Sequence, residues 1–264
     1  DDAALAAAPR LFEAGLFDGQ VAMVSGAGSG IGKAIAFLYA RLGARLVICG
    51  RDRAKLDACE PWLRKLGSPD VLVQQANIRQ PDEVERLLDA SYAHFGRLDV
   101  QVNNAGGQFP APLQGISKRG FEAVVANNLT GGFLMMREVY AQSMQTHGGA
   151  IVNMTADFRN GMPGMAHSGA ARAGMSNLTM SAAFEWASAG VRVNAVAPGW
   201  VASSGMDTYG GAVRALIPLL EQHVPLRRLA VEAEVSAAIV FLLSPGAAFI
   251  TGVTLPIDGG APLG

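Results

Sequence analysis

The chain has 264 residues, half of them apolar and 16% charged, with a formal net charge of −1. That supplies one large α/β domain spanning residues 1–264. With 21 basic against 22 acidic residues and no basic run, it lacks the charge footprint of a nucleic-acid binder.

No apolar run has the length of a membrane span. Residues 1–9 are Ala-rich but open with two acids, so they read as an arm rather than a targeting segment. The end, Ala261-Pro262-Leu263-Gly264, is not a peroxisomal address, and the expected location is cytoplasmic. Cys49 and Cys59 have no metal-ligand spacing and read as small core hydrophobes in a reducing compartment.

The first strand is expected at residues 21–24. Behind it comes Ser25-Gly26-Ala27-Gly28-Ser29-Gly30-Ile31-Gly32, which opens a helical pattern at 31–42. Glycines between a strand and a helix let the backbone approach a diphosphate, and the helix N-terminus supplies N–H donors. Strand 46–48 ends at Arg51, where an enzyme selective for NAD usually carries an acid. A guanidinium there suits a ribose phosphate, so the expected cofactor is NADPH. Lys33, a cation in the first turn of a helix, opposes the helix dipole, and a phosphate partner would explain it. Asp52 reads as the N-cap of the next helix, 53–66.

Further strands are expected at 71–73, 100–102, 151–154, 191–196 and 253–257. Between them lie helical patterns at 81–95, 129–145, 168–187 and 231–243. Apolar strands alternating with helices give a doubly wound parallel sheet of about seven strands, covered on both faces. Residues 200–228 break the alternation with three glycines and two prolines and read as a substrate lid.

Several motifs now stand in order. Asn103-Asn104-Ala105-Gly106 closes the fourth strand, and Asn128 lies in Asn127-Asn128-Leu129-Thr130-Gly131. Pro198-Gly199 follows the sixth strand, and Asp258-Gly259-Gly260 comes near the end. With the glycine turn, they resemble the short-chain dehydrogenase/reductase family from about residue 17 to 260. The resemblance implies a cofactor site of Gly26, Gly28, Ser29, Gly30, Ile31, Gly32, Lys33 and Arg51. It places Asn77 and Ile78 by the adenine and Asn104, Ala105 and Gly106 along the adenine ribose side. Pro198, Gly199, Val201 and Ser203 follow, with Ser203 where a Thr often holds the nicotinamide amide. It further implies a homo-oligomer, a dimer or tetramer, built on a helix with the small residues Gly169, Ala170, Ala173 and Gly174.

The family's usual Tyr and Lys are missing. Alignment through Ala173-Gly174-Met175 puts Ser168 at the Tyr position and Arg172 at the Lys position. A serine hydroxyl is a poor acid, and a guanidinium does not release a proton near neutral pH. His167-Ser168-Gly169-Ala170-Ala171-Arg172-Ala173-Gly174 is similar to the trans-2-enoyl-CoA reductase branch. The 2,4-dienoyl-CoA reductase branch also places Ser at the Tyr position.

The resemblance therefore implies an α,β-unsaturated acyl thioester, bound to CoA or to a carrier protein. Hydride reaches the β-carbon and charge gathers on the thioester oxygen, where donors are needed. Ser168 is the expected donor, Arg172 the holder of the nicotinamide ribose, Asn128 the holder of its helix and a water, and Thr155 a second donor. Ser168 as a helix cap, Arg172 paired to Asp157 or Asp99, and His167 as a structural hydrogen-bonder are the plainer readings. Reduction of another activated C=C, C=N or carbonyl group, or a catalytically weak NADPH-binding protein, are the alternatives.

Overall fold

The structure is a computed structural model that describes residues 2–3, 12–204, 206 and 217–261. Strands β1 (Val21–Ser25), β2 (Arg45–Gly50), β3 (Val71–Gln75), β4 (Val100–Asn103), β5 (Gly149–Met154) and β6 (Val191–Pro198) join a last strand, Thr254–Ile257. They form one seven-stranded sheet in the order β3-β2-β1-β4-β5-β6 and then that last strand, with every pairing parallel. The chain reverses direction across the sheet between β1 and β4. Crevices for ligands open at such a switch point, at the carboxyl ends of the strands.

Alternation along each strand splits the core in two. Ala22 and Val24 of β1 face one layer, with Ile35 of α1 (Gly30–Arg41) and Leu56 of α2 (Arg53–Leu66). Val21 and Met23 face the other, with Leu87 of α3 (Pro81–Phe95) and Met135 of α5 (Gly131–Val139). The expected doubly wound sheet of seven strands is the observed one.

Two helices differ from expectation. The pattern at 129–145 is the later part of a run that starts with α4 (Lys118–Val125), where the Ser117 hydroxyl accepts from Gly120 N–H at 3.1 Å. The run then passes through two π-helical turns, Ala126–Thr130 and Tyr140–Met144, flanking α5. The long helix α6 (Ala166–Trp186) begins two residues before Ser168, and its first flanking residue is Met165. Ser168 is therefore inside the helix and not its cap. Asp52 does cap α2, accepting from Lys55 N–H at 3.2 Å.

A chain of buried amides ties the central strands to α6. Gln101 Nε2 donates to Asn103 Oδ1 at 3.0 Å, and Asn103 Nδ2 to Asn153 Oδ1 at 2.8 Å. Asn153 Nδ2 then donates to Thr179 Oγ1 at 2.9 Å. Each residue is buried, so each bond acts at low dielectric, where an unpaired partner would be costly.

Of the expected lid at 200–228, residues 200–204, 206 and 217–228 are described, with β7 (Val201–Ala202) and α7 (Ile217–His223) its regular elements. β7 pairs in parallel with β8 (Ala230–Val231), just before α8 (Glu232–Leu243). Residues 205 and 207–216 lie outside the described residues. The sheet's last strand is β9 (Thr254–Ile257).

Candidate active site

The glycine turn is a cradle that side chains cannot enter. A Cβ on Gly32 would stand 2.2 Å from Gly26 O and 2.4 Å from Asn104 Nδ2. Gly26 (φ 69°) and Gly30 (φ 55°) take the left-handed backbone that glycine permits without strain. Ser25 is the keystone. Its Oγ donates to Val102 O at 3.2 Å and accepts from the N–H groups of Asn104 and Ala105, both at 3.1 Å. Asn104 Nδ2 returns to Ser25 O at 2.9 Å. Asn104 thus locks the turn to the end of β4, a role that sequence reasoning did not give it. Cys59 closes the back, its thiol 3.7 Å from Ala27 O and 3.8 Å from Gly28 O. A backbone so closely approached, opening helix α1, fits the diphosphate of a dinucleotide.

Around this cradle the expected residues divide. Ser29 flanks the first turn of α1 without a side-chain capping bond, and Ile31 packs on the core. Ser203 lies 3.9 Å from the position a Gly30 side chain would take. Arg51 is exposed, and its guanidinium carries no hydrogen bond or ion pair among the described residues. Lys55, not singled out from the sequence, packs its Cβ 3.0 Å from a Cβ built on Gly28.

Lys33 is the clearest departure. Its amine pairs with Asp2 at 2.7 Å, so the dipole-opposing cation has a carboxylate partner instead of waiting for a phosphate. Asn77 Oδ1 accepts from Arg79 Nε at 3.1 Å, and Ile78 is buried against Gly131. Gly199 N–H donates to Ile257 O at 3.0 Å, Pro198 pairs with Ile257 across the sheet, and Val201 is buried.

The reaction side gathers at the N-terminal end of α6. A Cβ on Gly106 would lie 2.7 Å from Asn128 Oδ1 and 2.8 Å from an Arg172 guanidinium nitrogen, so these three meet at the end of β4. Arg172 Nη1 donates to Met154 O at 2.6 Å, which fixes the guanidinium at the end of β5. The acids weighed as its partners have others: Asp99 pairs with Arg97 and accepts from Val21 N–H, and Asp157 lies 3.5 Å from Arg159.

Asn128 sits in the first π turn, a distortion frequent at functional sites. Its amide is engaged at both ends by Gly107, accepting at 3.0 Å and donating at 2.8 Å. It thus holds the β4 loop. Thr155 Oγ1 donates to Val196 O at 2.7 Å, so its hydrogen is committed to the backbone and it is not the second donor.

Ser168 is fully buried and its hydroxyl has no partner; the same holds for both ring nitrogens of His167. The His167 ring packs edge-on against Phe109 at 4.5 Å between centroids. Such unsatisfied groups are rare in native interiors and call for an explanation. Of four arginines that could meet a CoA at the mouth of the site, three have partners. Arg159 pairs with Asp258 at 2.6 Å, Arg228 with Glu234 at 2.6 Å, and Arg227 with Gln222 O, while Arg214 lies outside the described residues. Among the described residues no cluster of His, Cys, Asp or Glu could hold a metal, and no helix is long and apolar enough to cross a membrane.

Residues 26–262 match the family profile described as enoyl-(acyl carrier protein) reductase. The peroxisomal 2,4-dienoyl-CoA reductase of Pongo abelii is 33% identical over 98% of this chain and 89% of its own. A citronellol catabolism dehydrogenase from Pseudomonas aeruginosa PAO1 is 51% identical, with a TM-score of 0.86 over 95% of this chain and 98% of that one. A 3-ketoacyl-(acyl-carrier-protein) reductase from Brucella melitensis, solved with NADH, is 28% identical, with a TM-score of 0.85 over 92% and 98%. The chain belongs to the short-chain dehydrogenase/reductase family of oxidoreductases, and its glycine cradle fits a nicotinamide dinucleotide such as the NADH held by the Brucella enzyme.

Proposed function

We propose that the protein reduces an α,β-unsaturated acyl thioester with NADPH. The observation that carries this reading is the pair on α6, an unpartnered buried Ser168 hydroxyl and a clamped Arg172 guanidinium, where the family's phenol and amine would stand. When bound, NADPH would supply the hydride for the β-carbon, and water would supply the proton that the α-carbon takes up as the enolate collapses. The charge that gathers on the thioester oxygen needs a donor, not a strong acid. The Ser168 hydroxyl meets that need and gains the partner it otherwise lacks. Arg172 adds a fixed positive charge close to Gly106. Preference for NADPH over NADH is supported by the exposed, unpaired Arg51.

The name of the 51% relative favours a second reading, dehydrogenation of an isoprenoid alcohol, and makes branched acyl chains the first thioesters to try. The reading also includes a homo-oligomer that covers α6, whose Met180 and Phe184 are exposed.

The test is NADPH oxidation with straight and 3-methyl-branched trans-2-enoyl-CoAs and 2,4-dienoyl-CoAs, run against the matched 3-ketoacyl-CoAs and against citronellol with NADP⁺. Turnover confined to the enoyl or dienoyl series is expected. Turnover of 3-ketoacyl-CoA or citronellol would assign the acid role to another group and overturn the mechanism.

A further inference from the structure

An acidic side chain, Glu232, stands beside the glycine turn that fits a diphosphate. The position a Gly30 side chain would take lies 3.4 Å from Ser204 Oγ and 4.0 Å from Glu232 Oε1. Glu232 opens α8, which packs along α1, so its carboxylate stands at the rim of the diphosphate cradle. An acid there opposes the ligand that the glycines, the α1 N-terminus and Arg51 are arranged to receive.

Its surroundings give that charge little relief. Lys33 of α1 acts on it, but the Lys33 amine is 2.7 Å from Asp2. Ser203 and Ser204 bring hydroxyls and the Ser204 backbone N–H, but no charge. On its own helix Glu234 is taken up by Arg228. A carboxylate at a helix N-terminus ordinarily ionises readily. Burial nevertheless holds the Glu232 carboxyl above its usual range, and the Ser204 N–H, the N-terminal ammonium and Lys33 only partly offset this.

We propose that Glu232 makes dinucleotide binding proton-linked, opposing the cofactor's diphosphate when ionised and accepting a proton as the cofactor binds. The diphosphate adds negative charge beside the carboxyl, so the bound state holds the proton more tightly than the free protein. Affinity is therefore unpenalised at pH values below the free protein's Glu232 pKa, which is itself raised. It falls as pH rises through that pKa and levels off above the pKa of the complex. The inference rests on the dinucleotide site alone and not on the thioester reading.

The experiment is a calorimetric titration of NADP⁺ into the full chain and into Glu232→Gln, between pH 5.5 and 8 in buffers of different ionisation enthalpy. Adenosine 2′-monophosphate, which lacks the diphosphate, serves as the control ligand. It also subtracts the titration of the ligand's own 2′-phosphate. Glu232→Gln is expected to bind NADP⁺ roughly three- to tenfold more tightly than the wild type at pH 8, the effect of one screened unit charge near a hydrated site. The difference should shrink toward pH 5.5, with the control ligand bound alike by both. Wild type should take up protons with NADP⁺ beyond those taken up with the control. Equal or weaker binding by Glu232→Gln at pH 8 overturns the proposal. If that variant does not fold, an absence of excess proton uptake by the wild type overturns it as well. Failure of both proteins to bind NADP⁺ would overturn the cofactor reading, and the proposal with it.

Discussion

The two halves of the site are built on opposite terms. In the cradle between β1 and α1, the groups around the turn are matched to one another: Ser25, Asn104 and the Cys59 thiol all find backbone partners, and the glycines leave no room for a Cβ. At the start of α6, Ser168 and both nitrogens of His167 are buried with none. The turn that fits a cofactor is satisfied in advance, whereas the region proposed to meet the reacting group leaves polar atoms without partners.

The contrast can be broken from either side. The largest effect is expected for Gly32→Ala, whose new methyl would sit 2.2 Å from Gly26 O, a backbone atom that cannot swing away. A loss of about 3 kcal/mol in unfolding free energy is expected from such overpacking, and NADP⁺ binding should fall below detection by calorimetry. Normal binding by Gly32→Ala would mean that the cradle is looser than its geometry. Next comes Ser168→Ala, for which steady-state kinetics on an enoyl-CoA should show kcat lowered roughly 10²-fold with KM little changed, the size seen when one oxyanion donor is removed. An unchanged kcat would remove Ser168 from the reaction. Arg51→Asp should weaken NADP⁺ about tenfold or more and leave NAD⁺ nearly unaffected, since only the former carries the phosphate that a guanidinium pairs with.

Smaller effects sharpen the same comparison. His167→Leu removes two buried unpartnered nitrogens and should stabilise the ligand-free protein by about 1 kcal/mol, raising Tm by roughly 2–4 °C in a scanning calorimeter. A lower Tm would show that the ring has polar partners in solution. Least visible is the chemistry of the thiols. Burial pushes Cys49 up to about 12 and raises Cys59 as well. At pH 8 only about one Cys49 in ten thousand is thiolate, so iodoacetamide should label the folded protein negligibly and the unfolded protein fully. Labelling of native protein at pH 8 would contradict the packing around the cradle.

Much of the cradle was legible because its signals are local. Glycines between a strand and a helix, an acid at a helix start and apolar strand runs each act within a few residues, and the sheet, the turn and the Asp52 cap stand where they imply. What stayed hidden depends on distant neighbours or on helix ends. Lys33 reads as a phosphate ligand until Asp2 is seen beside it. Ser168 looks like a cap because nothing in Met165-Ala166-His167 marks an earlier start. Thr155 looks free until Val196 O, 41 positions away, takes its hydrogen. Glu232 carries no sequence signal at all, since only the fold lays α8 against α1.

The amide chain from Gln101 through Asn103 and Asn153 to Thr179 has a consequence for how such a site changes over evolutionary time. It holds α6 at Thr179, 11 residues or about three turns beyond Ser168. This grip at Thr179 stands apart from Ser168, while Arg172 holds α6 a second time through Met154 O at the end of β5. A lineage can exchange a phenol for a hydroxyl at 168, or an amine for a guanidinium at 172, while the helix keeps its seat against β4 and β5. On the proposed reading, a substitution at Ser168 alters the chemistry before it threatens the fold, whereas a change at Asn153 would do the reverse.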